Sequence, residues 1–241
     1  MVQVALADYL AALSRGQLVS FPTDTVPALA AAPEASDRIY QLKQRSPSKP
    51  LILMAASFAD LRPYLAGDEA EVAAWTQLIQ RYWPGALTLV LPARGEALGR
   101  LHPGGQTLGV RIPACPQALE LLRRSGPLAT TSVNRSGEAA ARDAAEAAAI
   151  FTDLPLLAPL PWPVGSGLAS TVLAWRQIGQ RQQHLPAPGS TAGQNPAMSQ
   201  SIRLRHQQRR ILILHSMIQQ RHRRRLQRTH VRSEEHTSEL Q

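Results

Sequence analysis

Residues 21–30 read FPTDTVPALA, and the apolar run Leu18-Val19-Ser20-Phe21 that leads into them has the character of a strand crossing a core. Pro22 stops that strand, since proline brings no N–H to a sheet ladder. Thr23, Asp24 and Thr25 then set two hydroxyls and a carboxylate at the strand's exit, more polar chemistry than a plain turn needs. Asp24 is ambiguous taken alone, because an aspartate in a turn often bonds only its own backbone.

Outward from this stretch, helical and extended patterns alternate. Upstream, Val4–Ser14 sets Leu6, Leu10 and Leu13 on one helical face, with Gly16 as the stop. Downstream, Ser36–Gln44 reads as a helix with Ile39 and Leu42 inward, and a loop holding Pro47 and Pro50 leads to a strand at Leu51–Ala55. Glu71–Trp83 is amphipathic through Val72, Trp75, Leu78, Ile79 and Tyr82, and Pro84 ends it. Further strands are predicted at Leu87–Leu91, Leu108–Ile112, Leu128–Thr131 and Ser170–Ala174, and further helices at Pro116–Arg124 and the alanine-rich Glu138–Phe151. Such alternation predicts an α/β fold with one mixed sheet covered by helices.

With 241 residues, 44% of them apolar, the chain can bury a substantial core. It has no apolar run near the roughly 20 residues that span a bilayer and no basic start followed by an apolar stretch, so a cytoplasmic chain with no membrane partner is expected. The single cysteine, Cys115, sits beside Pro113 and Pro116 and reads as a packed bystander. It excludes an internal disulfide and a cysteine-rich metal site.

The net charge of +9 suggests nucleic acid until it is located. Met1–Trp175 carries 14 basic and 14 acidic residues, whereas Arg176–Gln241 carries 12 Arg and 3 Glu, so the whole excess lies in the tail. The tail has no Lys, holds six of the seven His, and is dominated by Gln, His and Arg, whose codons begin CA or CG. Its last ten residues, RSEEHTSELQ, look like the translation of a sequencing adapter. The expectation is a catalytic domain over 1–175 and, over 176–241, a basic low-complexity tail that is frameshifted or adapter-derived and disordered. A natural basic helix for RNA or membrane is the weaker reading.

Four polar clusters fall at ends of expected elements, where α/β folds gather their sites. They are Thr23-Asp24-Thr25, Lys43-Gln44-Arg45 with Lys49, Thr107 with Arg111, and Thr130-Thr131-Ser132-Val133-Asn134. Each alone has an ordinary reading as a turn, a solvated helix end, a strand-edge charge or a helix cap. Together, cations beside hydroxyls and amides, with no Walker-type glycine loop and no His pair, suit a phosphate-bearing ligand held by side chains.

FPTDTVPAL (21–29), LKQRSPSKPLILM (42–54), RYWPGALTLVLPA (81–93), LGVRIP (108–113), TTSVNRSGE (130–138) and GSGLASTVL (165–173) occur in the order and spacing of the YrdC domain. Over about Ala5–Trp175 the chain thus resembles the threonylcarbamoyl-AMP synthase family, with its diagnostic Lys-x-Arg and Ser-x-Asn pairs present as Lys43, Arg45, Ser132 and Asn134. The resemblance implies an α+β type YrdC-like fold, a twisted mixed sheet flanked by helices and enclosing a deep basic cleft. It implies a nucleotidyltransferase that joins L-threonine, bicarbonate and ATP into threonylcarbamoyl-AMP and pyrophosphate, with Mg²⁺ on the leaving phosphates. The product would pass to tRNA threonylcarbamoyl transferase proteins that modify the adenosine beside the anticodon, with contact to tRNA itself a further implication.

The same resemblance assigns roles. Lys43 and Arg45 become the catalytic clamps on phosphate and carbamate; Lys49, Thr107, Ser132 and Asn134 join them on ATP. Thr23, Thr25, Arg111, Ser132 and Ser170 take threonine, Arg111 on its carboxylate, and Thr171 helps to close the pocket. No metal site formed by the chain is implied. Three departures from the family stand out. Pro27-Ala28 replaces a usual Tyr-Gly, Met54 stands where many relatives have His, and the arginine-bearing segment after STVLAW is unrecognisable.

Two rival classes remain. A non-catalytic RNA-binding protein of the same fold would ordinarily add aromatic stacking platforms, and only 5% of this chain is aromatic. A carbamoyl-adenylate domain of hydrogenase maturation factors would ordinarily sit within a far larger polypeptide bearing zinc-finger-like cysteines.

Overall fold

The computed structural model describes residues 2–175. The expected tail, 176–241, lies outside the described residues, so its assignment as a separate unit stands as a proposal. The chain runs β1 (Val2–Val4), α1 (Leu6–Ser14), β2 (Val19–Phe21), β3 (Ala28–Ala31), α2 (Asp37–Lys43), β4 (Ile52–Met54), α3 (Phe58–Leu61), α4 (Glu69–Tyr82), β5 (Leu87–Pro92), α5 (Glu96–Leu101), β6 (Thr107–Arg111), α6 (Pro116–Ser125), β7 (Leu128–Ser132), α7 (Ala144–Ile150), β8 (Pro155–Leu157) and β9 (Thr171–Ala174).

The strands form one nine-stranded mixed sheet in the order β1-β8-β2-β3-β7-β4-β6-β5-β9. Residues 22–27 turn the chain from β2 into the antiparallel β3, with Phe21 opposite Ala28. Strand β7 inserts between β3 and β4, which sets Ser132 opposite Ala28 and Thr130 opposite Ile52. Strand β6 runs parallel to β4 and puts Arg111 opposite Met54. Four clusters far apart in sequence are thereby tied to adjacent strands.

One apolar core joins Tyr9, Ala12 and Leu13 of α1 with Ala118, Leu121 and Leu122 of α6 and with Phe21, Ala28 and Met54 from the sheet. Burying a Leu- or Phe-sized side chain contributes about 1.5–3 kcal/mol, so this face alone is a major stabilising element. Met54 is only 5% exposed and belongs to this core. Cys115 is packed beside it, and burial pushes its thiol up, as befits a bystander.

The structure adds α3, α5 and β8, which the sequence analysis did not predict, and departs from its expectations in four further ways. Val4 is in β1, and the helix starts at Leu6. Strand β3, Ala-Leu-Ala-Ala, carries no β-branched or aromatic signal, yet all four residues are buried between two ladders. Helix α7 begins at Ala144 rather than Glu138, because Asp143 caps it by accepting from Glu146 N at 2.8 Å. In α2 the inward stripe is Ile39 and Lys43, four residues apart, while Leu42 is 39% exposed. The face expected to bury a leucine therefore buries a lysine.

Candidate active site

Lys43 is the last residue of α2, and Gln44 follows it in the left-handed region, φ 48° and ψ 42°. This cap closes on Gln41 and Tyr40 carbonyls and turns the chain sharply, so Lys43 and Arg45 leave the helix end in different directions. Lys43 is 3% exposed. Its Nζ donates to the Ser132 carbonyl and to Asn134 Oδ1, the latter at 2.7 Å. Ser132 Oγ donates to the same Oδ1 at 2.7 Å. Lys-x-Arg and Ser-x-Asn thus meet in one knot, across about 90 residues of sequence. Burial, with the neighbouring Arg45 charge adding to it, pushes the Lys43 ammonium down to about 8.

Arg45 works on the loop that follows. Its Nε donates to Lys49 O at 2.9 Å and its Nη2 to Pro50 O at 3.0 Å, which fixes the backbone leading into β4. Lys49 is exposed. Thr107 opens β6, four residues from Arg111, roughly 13 Å away along the strand at about 3.3 Å per residue. Among the described residues its side chain makes no hydrogen bond with the other candidates.

A second knot gathers the Thr23-Asp24-Thr25 loop. Arg111 donates from Nη1 to Thr25 Oγ1 at 2.9 Å, from Nη2 to Asp24 Oδ1 at 2.6 Å, and from Nε to Gly85 O at 2.9 Å. Asp24 Oδ1 also accepts from Ala114 N at 3.0 Å, so this carboxylate bonds far beyond its own turn. Thr23 Oγ1 donates to Val26 O at 2.7 Å and accepts from Thr25 N. A hydroxyl has one proton, so in the 2.9 Å contact between the two threonines Thr25 must be the donor. Thr23 is then fully committed, and Thr25 keeps one lone pair. Desolvation pushes the Arg111 guanidinium down, against the opposing pull of Asp24. Thr23, Thr25 and Arg111 are 2–3% exposed, and within this buried knot three of the five Arg111 N–H donors are spent on the protein.

The two knots share the N-terminal end of β3. Val133 N donates to Pro27 O at 3.1 Å, and Ser132 is the register partner of Ala28. Over the first knot's neighbour runs a strap: Ser166 N donates to Asp24 O and Gly167 N to Thr25 O at 3.0 and 2.9 Å. A Cβ on Gly165 would come within 2.5 Å of Thr25 O and 2.8 Å of Thr23 O, so only glycine permits this approach. The strap leads to Ser170, whose hydroxyl pairs with Thr88 Oγ1 at 2.8 Å, and to Thr171 at the start of β9. Sequence reasoning named Arg111 but passed over its pairing with Asp24, and gave no role to Gly165 or Thr88. The last carried a readable signal, a threonine inside the apolar run of β5 that is 1% exposed.

A depression of about 760 Å³ lies elsewhere, lined by residues that include Gln17, Arg38, Gln41, Arg135, Phe151 and Asp153. It does not include the two knots. Among the described residues no group of three or more His, Cys, Asp or Glu could hold a metal ion, and no helix is long and apolar enough to cross a membrane.

Residues 11–183 match the family model Sua5/YciO/YrdC, described as "Telomere recombination". The chain belongs to that family. Among curated relatives, it is 37% identical over 174 residues to the threonylcarbamoyl-AMP synthase of Bacillus subtilis, covering 70% of this chain and 49% of the relative. With the synthase of Chromohalobacter salexigens it shares 39% over 150 residues, covering 61% of this chain and 80% of the relative. The chain therefore spans about half of one such relative and four-fifths of another. Among solved structures, Pyrococcus abyssi Sua5 complexed with L-threonine superposes with a TM-score of 0.66 at 30% identity, over 73% of this chain and 54% of that one. Escherichia coli YciO superposes at 0.60 with 21% identity, over 73% of this chain and 90% of that one, a likeness of fold.

Proposed function

We propose that the chain is a threonylcarbamoyl-AMP synthase, joining L-threonine, bicarbonate and ATP with release of pyrophosphate. The observation that carries this reading is the knot of Lys43, Ser132 and Asn134, assembled from opposite halves of the sequence, in a chain whose Bacillus and Chromohalobacter relatives bear that name.

The reaction asks for position and charge neutralisation more than for a strong base. The threonine amine adds to bicarbonate with loss of water to give a carbamate. A carbamate oxygen attacks the α-phosphorus, the bond to the bridging oxygen breaks, and pyrophosphate leaves with the electron pair. Lys43 has one ammonium proton uncommitted, and Arg45 has its Nη1 protons and one on Nη2, to set against the negative oxygens. Arg111, tied to the 22–27 loop, keeps two N–H donors for a carboxylate, and Thr25 keeps one acceptor site for an N–H or O–H. Ser132 Oγ spends its proton on Asn134 and can only accept. Lys49 and Thr107 would serve a more distant part of ATP, and Ser170 and Thr171 would flank the threonine side beneath the strap.

Among the described residues no group of three or more His, Cys, Asp or Glu gathers to hold a metal ion; Mg²⁺ carried on the phosphates of ATP would supply charge neutralisation there. Transfer proteins that consume the adenylate, and tRNA, are the partners this activity calls for, in a cytoplasmic setting. The test is pyrophosphate release from the full chain with single omissions. Release should require both L-threonine and bicarbonate; release without either refutes the reading.

A further inference from the structure

We infer that Asn134 is a positioning residue for Lys43 and makes no hydrogen bond to the ligand of this site. The inference rests on the reading of Lys43 as a phosphate clamp and follows from counting donors and acceptors. A side-chain amide has two donor protons and an oxygen with two lone pairs. Asn134 Oδ1 accepts from Lys43 Nζ and from Ser132 Oγ, both at 2.7 Å. Its Nδ2 donates to Arg135 O at 2.9 Å and to Glu138 O at 2.7 Å. The orientation is forced, because an ammonium only donates and a carbonyl only accepts. All four valences are filled from inside the chain, whereas Lys43 keeps one proton and Ser132 keeps its lone pairs.

The geometry gives the amide a task. Two of the three ammonium protons are pinned, one on the Ser132 carbonyl and one on Oδ1, so the third has a fixed direction. The Oδ1 dipole also favours the charged form of a lysine that burial otherwise disfavours. Arg45 is the charged group acting on Lys43. Strand β3 presents Ala28–Ala31, the end of β7 presents Ser132, and Asn134 follows two residues later; none of these titrates. Glu34 precedes the opposite end of α2, and Arg135 and Glu138, which flank the amide, are exposed.

The experiment measures ATP binding to the full chain by calorimetry from pH 6 to 10 without threonine, alongside the pH dependence of reductive methylation at Lys43. Wild-type affinity should fall as pH rises past about 8. Asn134→Asp sets a carboxylate against the ammonium and should move both midpoints up by about one unit or more. Asn134→Ala removes an acceptor and should move the methylation midpoint down, with ATP affinity at pH 7 reduced about tenfold. Opposite shifts from the two variants support the inference. If Asp does not fold, the downward shift in Ala decides alone. Weakened binding with unmoved midpoints would mean that the amide touches ATP directly, and unchanged binding would mean that it does nothing here; either overturns the inference. ATP binding that behaves as described without threonine-dependent pyrophosphate release would sink the proposed function and leave this inference standing. A wild-type chain that does not bind ATP would overturn both.

Discussion

Replacing Asp24 by alanine breaks the ion pair that joins the 22–27 loop to β6. Arg111 is 3% exposed and Asp24 16%, with 2.6 Å between Nη2 and Oδ1. Removing one partner of a buried pair costs about 3–5 kcal/mol, because the remaining charge keeps its desolvation penalty without compensation. Water reaches part of Asp24, which favours the lower end, about 3 kcal/mol. The Ala114 N–H loses its acceptor as well, which adds about 1 kcal/mol. A loss near 4 kcal/mol corresponds to roughly 8–16 °C in Tm for a domain of this size. Urea midpoints and thermal scans on the full chain measure it, and Asp24→Asn, which keeps an oxygen on Arg111, should fall between. The double variant Asp24→Ala/Arg111→Met removes the stranded charge and should be more stable than the sum of the singles. A cost below about 0.5 kcal/mol for Asp24→Ala would show instead that the Gly85 carbonyl and Thr25 hold Arg111 without the carboxylate.

Other expectations follow from the same geometry. Lys43→Ala and Arg45→Ala should each lower adenylate formation by about a hundredfold or more, the scale of losing one preorganised electrostatic contact; near-normal pyrophosphate release in both would remove the clamp assignment. Gly165→Ala pushes a Cβ against two carbonyls of the 22–27 loop and should cost about 1–3 kcal/mol in urea titrations, with weaker L-threonine binding; an unchanged midpoint would show that the strap is not closely docked. The Lys43 ammonium titrates near 8 when folded and at its ordinary 10.5 when unfolded, so between those values the unfolded chain binds more protons. Stability should therefore rise with pH across that window, and Lys43→Gln should remove that share of the rise; an identical slope in the variant contradicts the burial of the charge.

The sheet's main strands were legible because their runs are apolar and bounded by proline or glycine, as in Val19–Phe21 before Pro22 and Leu108–Ile112 before Pro113. Strand β3 was not, since Ala-Leu-Ala-Ala gains its extended state from β2 and β7 on either side rather than from local propensity. Leu42 and Lys43 exchanged their expected roles for a related reason. Periodicity ranks the leucine as the inward residue, but Ser132 and Asn134, 89 and 91 residues further along the chain, supply a polar niche for Lys43 that no local pattern reveals. The candidate site was legible as motifs because its residue types are chemically dense and close in sequence. What those motifs do to one another was not: Asp24 meets Arg111 across 87 residues, and Gly165 meets Thr23 and Thr25 from far beyond both. Thr107 carries the motif spacing and still lies a strand's length from the Arg111 knot.

In the proposed reaction Lys43 and its partners join threonine, bicarbonate and ATP into one adenylate. Incubating the full chain with L-threonine, ATP and isotopically labelled bicarbonate, and reading the product by mass spectrometry, tests it most directly. Threonylcarbamoyl-AMP carrying the label, formed in step with pyrophosphate and lost in Lys43→Ala, is the expected result. ATP turnover that yields no labelled adenylate, or label incorporation unaffected by Lys43→Ala, would contradict it.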